Sequence, residues 1–159
     1  MNNSSDLKIF EHEVRIGGDF DISISHRSTK FSTNEMHSHD YCELTVYTEG
    51  KKSVFVNDSL YITSGGCAFT FRPDEMHCGL HNGNLIHERY VIVMRPDCFR
   101  SICGGDRLPR CFFEREAGRH NMVLMPETET NEGIGLLHGI METGSGDLPE
   151  RDAVMLSGL

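Results

Sequence analysis

Residues 37–50 read HSHDYCELTVYTEG, and the reading of the whole chain grows outward from them. In an extended strand, side chains two apart share a face. His37, His39 and Glu43 therefore project to one side, and Thr45 and Tyr47 continue the same parity. Two imidazoles and a carboxylate are three of the ligands that a divalent transition metal accepts. A fourth, His77, follows the turn Pro73-Asp74-Glu75-Met76, and His81 lies four residues further with matching parity. Zn, Ni and Fe all suit such a set. The same side chains equally suit a metal-free pocket in which they bond a ligand or one another. Cys42 has the opposite parity and is no ligand.

Around this motif, from Asp19 to Pro96, short β-like runs alternate with turn residues. DFDISISHRS, CELTVYT, KSVFV, SLYIT, CAFTFR and IHERYVIVM are each closed by a polar or glycine-containing break. Asn57-Asp58, between KSVFV and SLYIT, is a hairpin signal. Five or more strands at such spacing predict an antiparallel sandwich or small barrel. After Pro96 the pattern predicts a short helix over 97–103 and brief extended pieces at CFF and NMVLM. From Glu127 it turns helical, with Ile134, Leu137 and Met141 on one side and Gly144 as a stop. A second helix begins near Asp147 and Pro149 and carries Val154, Met155 and Leu159 inward. These six apolar residues exceed what capping one barrel needs, and a homodimer of paired helices would use them.

A chain of 159 residues supports one core, and its 24 acids against 15 bases give a charge of −9. That balance excludes a grip on DNA or an anionic membrane by this chain alone. Apolar runs reach only about four residues, so nothing reads as a membrane span. The start, MNNSSDLKIFEHEV, has no secretory pattern, and six scattered cysteines without C-x-x-C read as reduced thiols. Both features point to the cytoplasm. The last helix reaches Leu159 without cap or breaker, which points to a protein that continues.

HSHDYCE with its trailing glycine resembles the first motif of the cupins, and GGCAFTFRPDEMH resembles the second, with Glu75 where a glycine is usual. The P-x-x-x-H form, RYVIVMRPDCF and the two final helices resemble the effector domains of AraC-type transcription regulators. Within these, the paired glycines before CAFTFR and GDLPERDAVMLSGL are most similar to L-rhamnose-responsive regulators. The resemblance implies a cupin-like antiparallel jelly roll followed by two helices. It divides the chain into an arm (1–18), an effector barrel (19–126) and a dimerisation segment (127–159). A helix-turn-helix domain beyond Leu159 would supply all contact with DNA.

A small polyol effector, a sugar such as L-rhamnose, needs a concave site with a few fixed polar groups. Thr45, Tyr47, Thr70, Arg72 and His81 are the expected contacts. His87 and Arg89 share one side of the last core strand, with Arg89 read first as a surface ion pair. His12, His26, His120 and His138 read as surface or helix-packing residues. The alternative is a metal-dependent cupin enzyme, a dioxygenase or sugar isomerase, with His81 or Tyr47 moving a proton.

Overall fold

The computed structural model describes residues 10–17, 21–29, 35–48, 51–63, 66–80, 87–98, 107–147 and 149–159. Nine strands and three helices with both ends described are β1 (Phe10–Ile16), β2 (Ile22–Thr29), β3 (Cys42–Tyr47), β4 (Lys52–Val56), β5 (Ser59–Thr63), β6 (Cys67–Phe71), β7 (His77–Leu80), β8 (His87–Met94), α1 (Arg107–Phe113), β9 (Met122–Leu124), α2 (Glu127–Ser145) and α3 (Arg151–Gly158). Residues 96–98 are also helical, and the rest of the helix expected over 97–103 lies outside the described residues. The strands form a six-stranded sheet, β1-β2-β8-β3-β6-β9, and a three-stranded sheet, β5-β4-β7, antiparallel at every pairing. The fold is mainly β with two C-terminal helices, as the strand spacing implied. No described helix is long and apolar enough to cross a membrane.

Alternation gives the large sheet two different faces. Even-numbered Val14, Ile16, Ile22, Ile24, Cys42, Val46, Tyr90, Ile92 and Met94 form one buried apolar layer. Leu137, Ile140 and Met141 of α2 and Met155 of α3 cover that layer, with Phe112 of α1. The other face looks into the barrel toward β4 and β7. At the tip of the β4–β5 hairpin Asn57 takes φ 51°, the left-handed conformation that a two-residue turn requires.

Several sequence expectations change here. Within the segment read as an arm, residues 10–16 form an edge strand paired with β2, and Val14 and Ile16 complete the apolar layer. CFF lies in α1, not in an extended piece. Gly144 lies inside α2, where a Cβ would come within 2.9 Å of Val14 and 2.8 Å of Met155, so it permits close packing rather than ending the helix. The second helix starts at Arg151, later than Asp147. Of the residues expected at a dimer face, Leu137, Met141 and Met155 are buried within the chain, and Ile134 packs against them. The physical reason is that the sheet's outer face is itself apolar and needs a cover. Only Val154 and Leu159 of the six remain exposed, near 48% and 38%.

A buried ion pair joins the end of β6 to the segment after α1. Arg115 donates to both oxygens of Glu75, at 2.7 and 2.5 Å, in a bidentate pair with almost no exposed side-chain surface. Glu75 also accepts from the backbone N–H of Gly118 and Arg72 and from Asn121 Nδ2. Burial alone would raise its carboxyl, but Arg115 and the amides outweigh it and hold the pKa at about 2.

Two predictions follow from this packing. Met155→Ala removes a fully buried side chain from the layer under the helices and lowers unfolding free energy by about 2–5 kcal/mol. A urea titration giving under about 1 kcal/mol contradicts that placement. Glu75→Gln leaves Arg115 buried without its anion and costs about 3–5 kcal/mol at neutral pH. Because the folded carboxyl is depressed from 4.5 to about 2, the wild type's advantage is complete above pH 4.5 and fades as pH falls toward 2. A wild-type advantage that stays constant through that window contradicts the assignment.

Candidate functional site

Three of the four expected ligands converge at one end of the barrel. His39 Nε2 lies 3.0 Å from Glu43 Oε2, and His77 Nε2 lies 3.9 Å from the same oxygen. Ligand atoms of His39, Glu43 and His77 all fall within 4.8 Å of one another. His37 stands beside the group and lines the adjoining cavity with Glu43 and His77. It forms a β-bridge with His77, and their rings are 4.4 Å apart, but its side chain is exposed.

Local structure fixes which nitrogen of each ring faces the centre. Nδ1 of His39 lies 3.0 Å from the carbonyl of Tyr41, and Nδ1 of His77 lies 2.8 Å from that of Glu75. A carbonyl only accepts, so each Nδ1 carries the proton and donates it. In the neutral rings both Nε2 atoms are then bare lone pairs. His39 also stacks on Tyr41 at 3.8 Å, and His77 on Phe71 at 4.0 Å, so neither ring is free to turn.

The electrostatics at the centre are unusual. Thr45 Oγ1 donates to Glu43 Oε1, leaving Oε2 as an acceptor that faces two further acceptors. The buried Nε2 of His77 has no hydrogen-bond partner. Burial would raise the Glu43 carboxyl, but the His39 and His77 rings, when one carries a second proton at Nε2, and the Thr45 hydroxyl hold it below the usual range. Burial pushes the His77 imidazole down, toward its neutral form. An anion and two imidazole lone pairs aimed at one point require a cation there, a metal ion or a proton. Both Nδ1 atoms donate to backbone carbonyls, as the outer nitrogens of metal-bound histidines commonly do, so these residues fit a divalent metal.

Beyond this cluster a cavity of about 410 Å³ runs through the barrel, within the range of roughly 300–1,000 Å³ typical of small-molecule pockets. Thr45 and Tyr47 line it, as their parity with Glu43 implied. Burial pushes the Tyr47 phenol up to about 12, so it is neutral. Thr70 and Arg72 do not line it. Register pairs Glu43 with Phe71 and Thr45 with Phe69, which puts the odd residues of β6 inside. Thr70 instead donates to the carbonyl of Cys111, and Arg72 to that of Arg115. Thr70 sits on the face of β6 opposite to Phe69 and Phe71, and Arg72 lies just beyond the strand's last residue. His81 lies outside the described residues.

The sequence reading missed several lining residues. Arg89 faces the cavity rather than solvent, together with Arg27, Glu11, Lys52 and His87. The parity of β8 had placed His87 with Arg89, and register with Tyr47 is what turns both inward. Lys52 is buried, with its ammonium 5.0 Å from the Tyr47 ring centre. On the opposite face, His26 stacks on Tyr90 at 4.1 Å and Tyr90 bonds His138 of α2, the helix-packing role expected for those histidines.

Comparison with curated proteins gave no match. Among solved structures, the chain is similar to an RmlC-like cupin family protein with a double-stranded β-helix fold from Methanocaldococcus jannaschii, at 10% identity over 59% of this chain and 87% of that one, TM-score 0.45. It is also similar to a Cupin 2 conserved barrel domain protein from Salinispora arenicola, at 12% identity over 63% and 87%, TM-score 0.44. A putative mannose-6-phosphate isomerase from Ralstonia eutropha is similar at 9% identity over 60% and 95%, TM-score 0.41. The model of the AraC-like ligand binding domain matches residues 22–159, from β2 through both C-terminal helices, and the chain belongs to that family.

Proposed function

We propose that this chain is the effector-sensing and dimerisation part of an AraC-type transcription regulator, with DNA contact made by a separate helix-turn-helix domain. The observation that carries the reading is the cavity of about 410 Å³ lined by both polar and apolar side chains, inside a chain whose family is one of ligand binding domains. The effector is a small polyhydroxylated compound of the sugar class, bound between β3, β8 and β7. Thr45 and Tyr47 supply hydrogen bonds to hydroxyls, and Phe71 supplies an apolar wall. Residues 19–126 hold the effector and 127–159 form the dimerisation segment. Leu136, Val154 and Leu159, exposed on α2, α3 and the final residue, are the apolar groups available to a second copy.

The route from ligand to helices is short. Arg27 and Arg89 face the cavity, while their neighbours His26 and Tyr90 face α2 on the sheet's other side. A ligand that shifts β2 against β8 therefore shifts the surface on which α2 rests. Such a signal needs different affinity for two arrangements of the helices, not occupancy alone.

His39, Glu43 and His77 are the residues that would hold a divalent metal, which would present a Lewis-acidic centre to ligand hydroxyls. The chain's own groups orient the ligand and exclude water around it. Family membership favours this sensing role over a metal-dependent isomerase or dioxygenase.

Two measurements test the reading. Zn²⁺ titrated calorimetrically into metal-free protein binds at about one ion per chain, and His77→Ala abolishes the binding. No heat in the wild type, or equal heat in the variant, removes the metal. L-Rhamnose, but not L-arabinose, raises the melting temperature if the resemblance to rhamnose-responsive regulators holds. An equal response to both removes that effector.

A further inference from the structure

The outer face of the large sheet carries a cluster of imidazoles that the cavity does not use. Backbone register sets His12 opposite His26 and His26 opposite Tyr90, an even-numbered row across β1, β2 and β8. The His26 ring stacks on Tyr90 with centroids 4.1 Å apart and planes 14° from parallel. His138 of α2 tilts against both, its ring centroid 5.5 Å from each. Tyr90 is buried and the His26 side chain is 14% exposed, whereas His12 stands at the rim.

α2 bonds this row at two positions, two turns apart. His138 Nε2 bonds the Tyr90 hydroxyl, and Ser145 Oγ lies 3.0 Å from His12 Nε2. The partners show where the protons sit. Ser145 gives its own hydroxyl proton to the Met141 carbonyl, so His12 Nε2–H is the donor to Ser145. His26 Nε2 lies 2.7 Å from Glu88 Oε1, and a carboxylate accepts, so that nitrogen also carries a proton. The buried Tyr90 hydroxyl is satisfied by donating to His138 Nε2, which is then a bare acceptor. All three rings are accommodated in their neutral forms.

A second proton fits this arrangement poorly. On His138 it enters at Nε2, where the Tyr90 proton already points. On His12 and His26 together it opposes two cations directly across antiparallel strands. Among the described residues, the titratable groups facing His26 are His12 from β1, Glu88 and Tyr90 from β8, and His138 from α2. Burial, and then the His138 and His12 rings, hold the His26 imidazole below its ordinary 6.5 against the pull of Glu88. The packed arrangement therefore prefers the neutral ring, and its advantage is complete above pH 6.5 and declines as pH falls below it.

We propose that His12, His26 and His138 form a proton-operated clasp, in which mild acid charges the row and frees α2 from the outer face of the sheet. The proton is then an input to the helices that arrives on the side opposite the cavity. The clasp stands on its own geometry. Its corollary, that a cavity ligand favouring docked helices binds less tightly in acid, rests on the effector-sensing reading.

Hydrogen exchange of the full chain without ligand, with rates corrected for the intrinsic effect of pH, tests the clasp. Between pH 7.5 and 5.0 the protection of α2 amides is expected to fall about tenfold, the factor that one unit of altered proton affinity supplies, while β3 and β6 hold theirs. His26→Gln, whose amide still donates to Glu88, reduces that step to about threefold or less. His12→Gln, a change at the exposed rim, at least halves it, and decides alone where His26→Gln does not fold. A wild type without the step, either folded variant with the full step, or β3 and β6 losing protection alongside α2 overturns the clasp. Each of those results leaves effector sensing in the cavity untouched.

Discussion

Glu75 has no exposed side-chain surface, and its two oxygens collect bonds from Arg115, Asn121 and the backbone of Arg72 and Gly118. These partners come from the end of β6, the segment after α1 and the approach to β9. The carboxylate therefore closes the turn that delivers His77 and ties it to the polypeptide beyond the barrel. The carbonyl of the same residue receives His77 Nδ1–H and so aims Nε2 inward. One side chain fixes a fold junction while its own backbone sets a tautomer. A charge this deep is tolerable only because every lone pair facing protein is engaged.

The six-stranded sheet has two contrasting faces. Its even-numbered side chains build an apolar layer that α2 and α3 cover, which is the main source of hydrophobic stabilisation. Its odd-numbered side chains, freed from that duty, present arginines, threonine, tyrosine and carboxylates to the cavity. The division holds on β1, β2, β3 and β8, while the odd-numbered Cys67, Phe69 and Phe71 of β6 join Val54 and Val56 in a second apolar cluster. The His26–Tyr90–His138 stack is where stability and recognition meet, because it joins the back of the cavity wall to α2.

Much of this was legible in the residues. The spacing of His37, His39 and Glu43 identified a polar mouth, since parity in one strand is a local property. The antiparallel barrel followed from the regular turn signals. The places of Thr70 and Arg72 were not legible because parity in one strand does not transfer to the next without register, and β6 is buried on both faces. Leu137, Met141 and Met155 were read as surplus apolar residues because a single sequence does not show that the sheet's outer face needs covering. One side of the cavity was invisible for the same reason: Glu11, Arg27 and Arg89 are far apart in sequence and become neighbours only through pairing. Glu75 looked like a defect in a motif, and nothing local pointed to Arg115, forty residues away.

The central claim is that two backbone carbonyls hold His39 and His77 as Nδ1–H tautomers with their bare Nε2 atoms aimed at Glu43. Nitrogen-15 NMR of the imidazoles in metal-free protein, repeated as Zn²⁺ is added, tests it directly. The account predicts protonated Nδ1 in both rings, and a joint shift of their Nε2 resonances with metal while those of His26 and His138 stay in place. The opposite tautomer in either ring, or metal-induced shifts confined to His26 and His138, would contradict it.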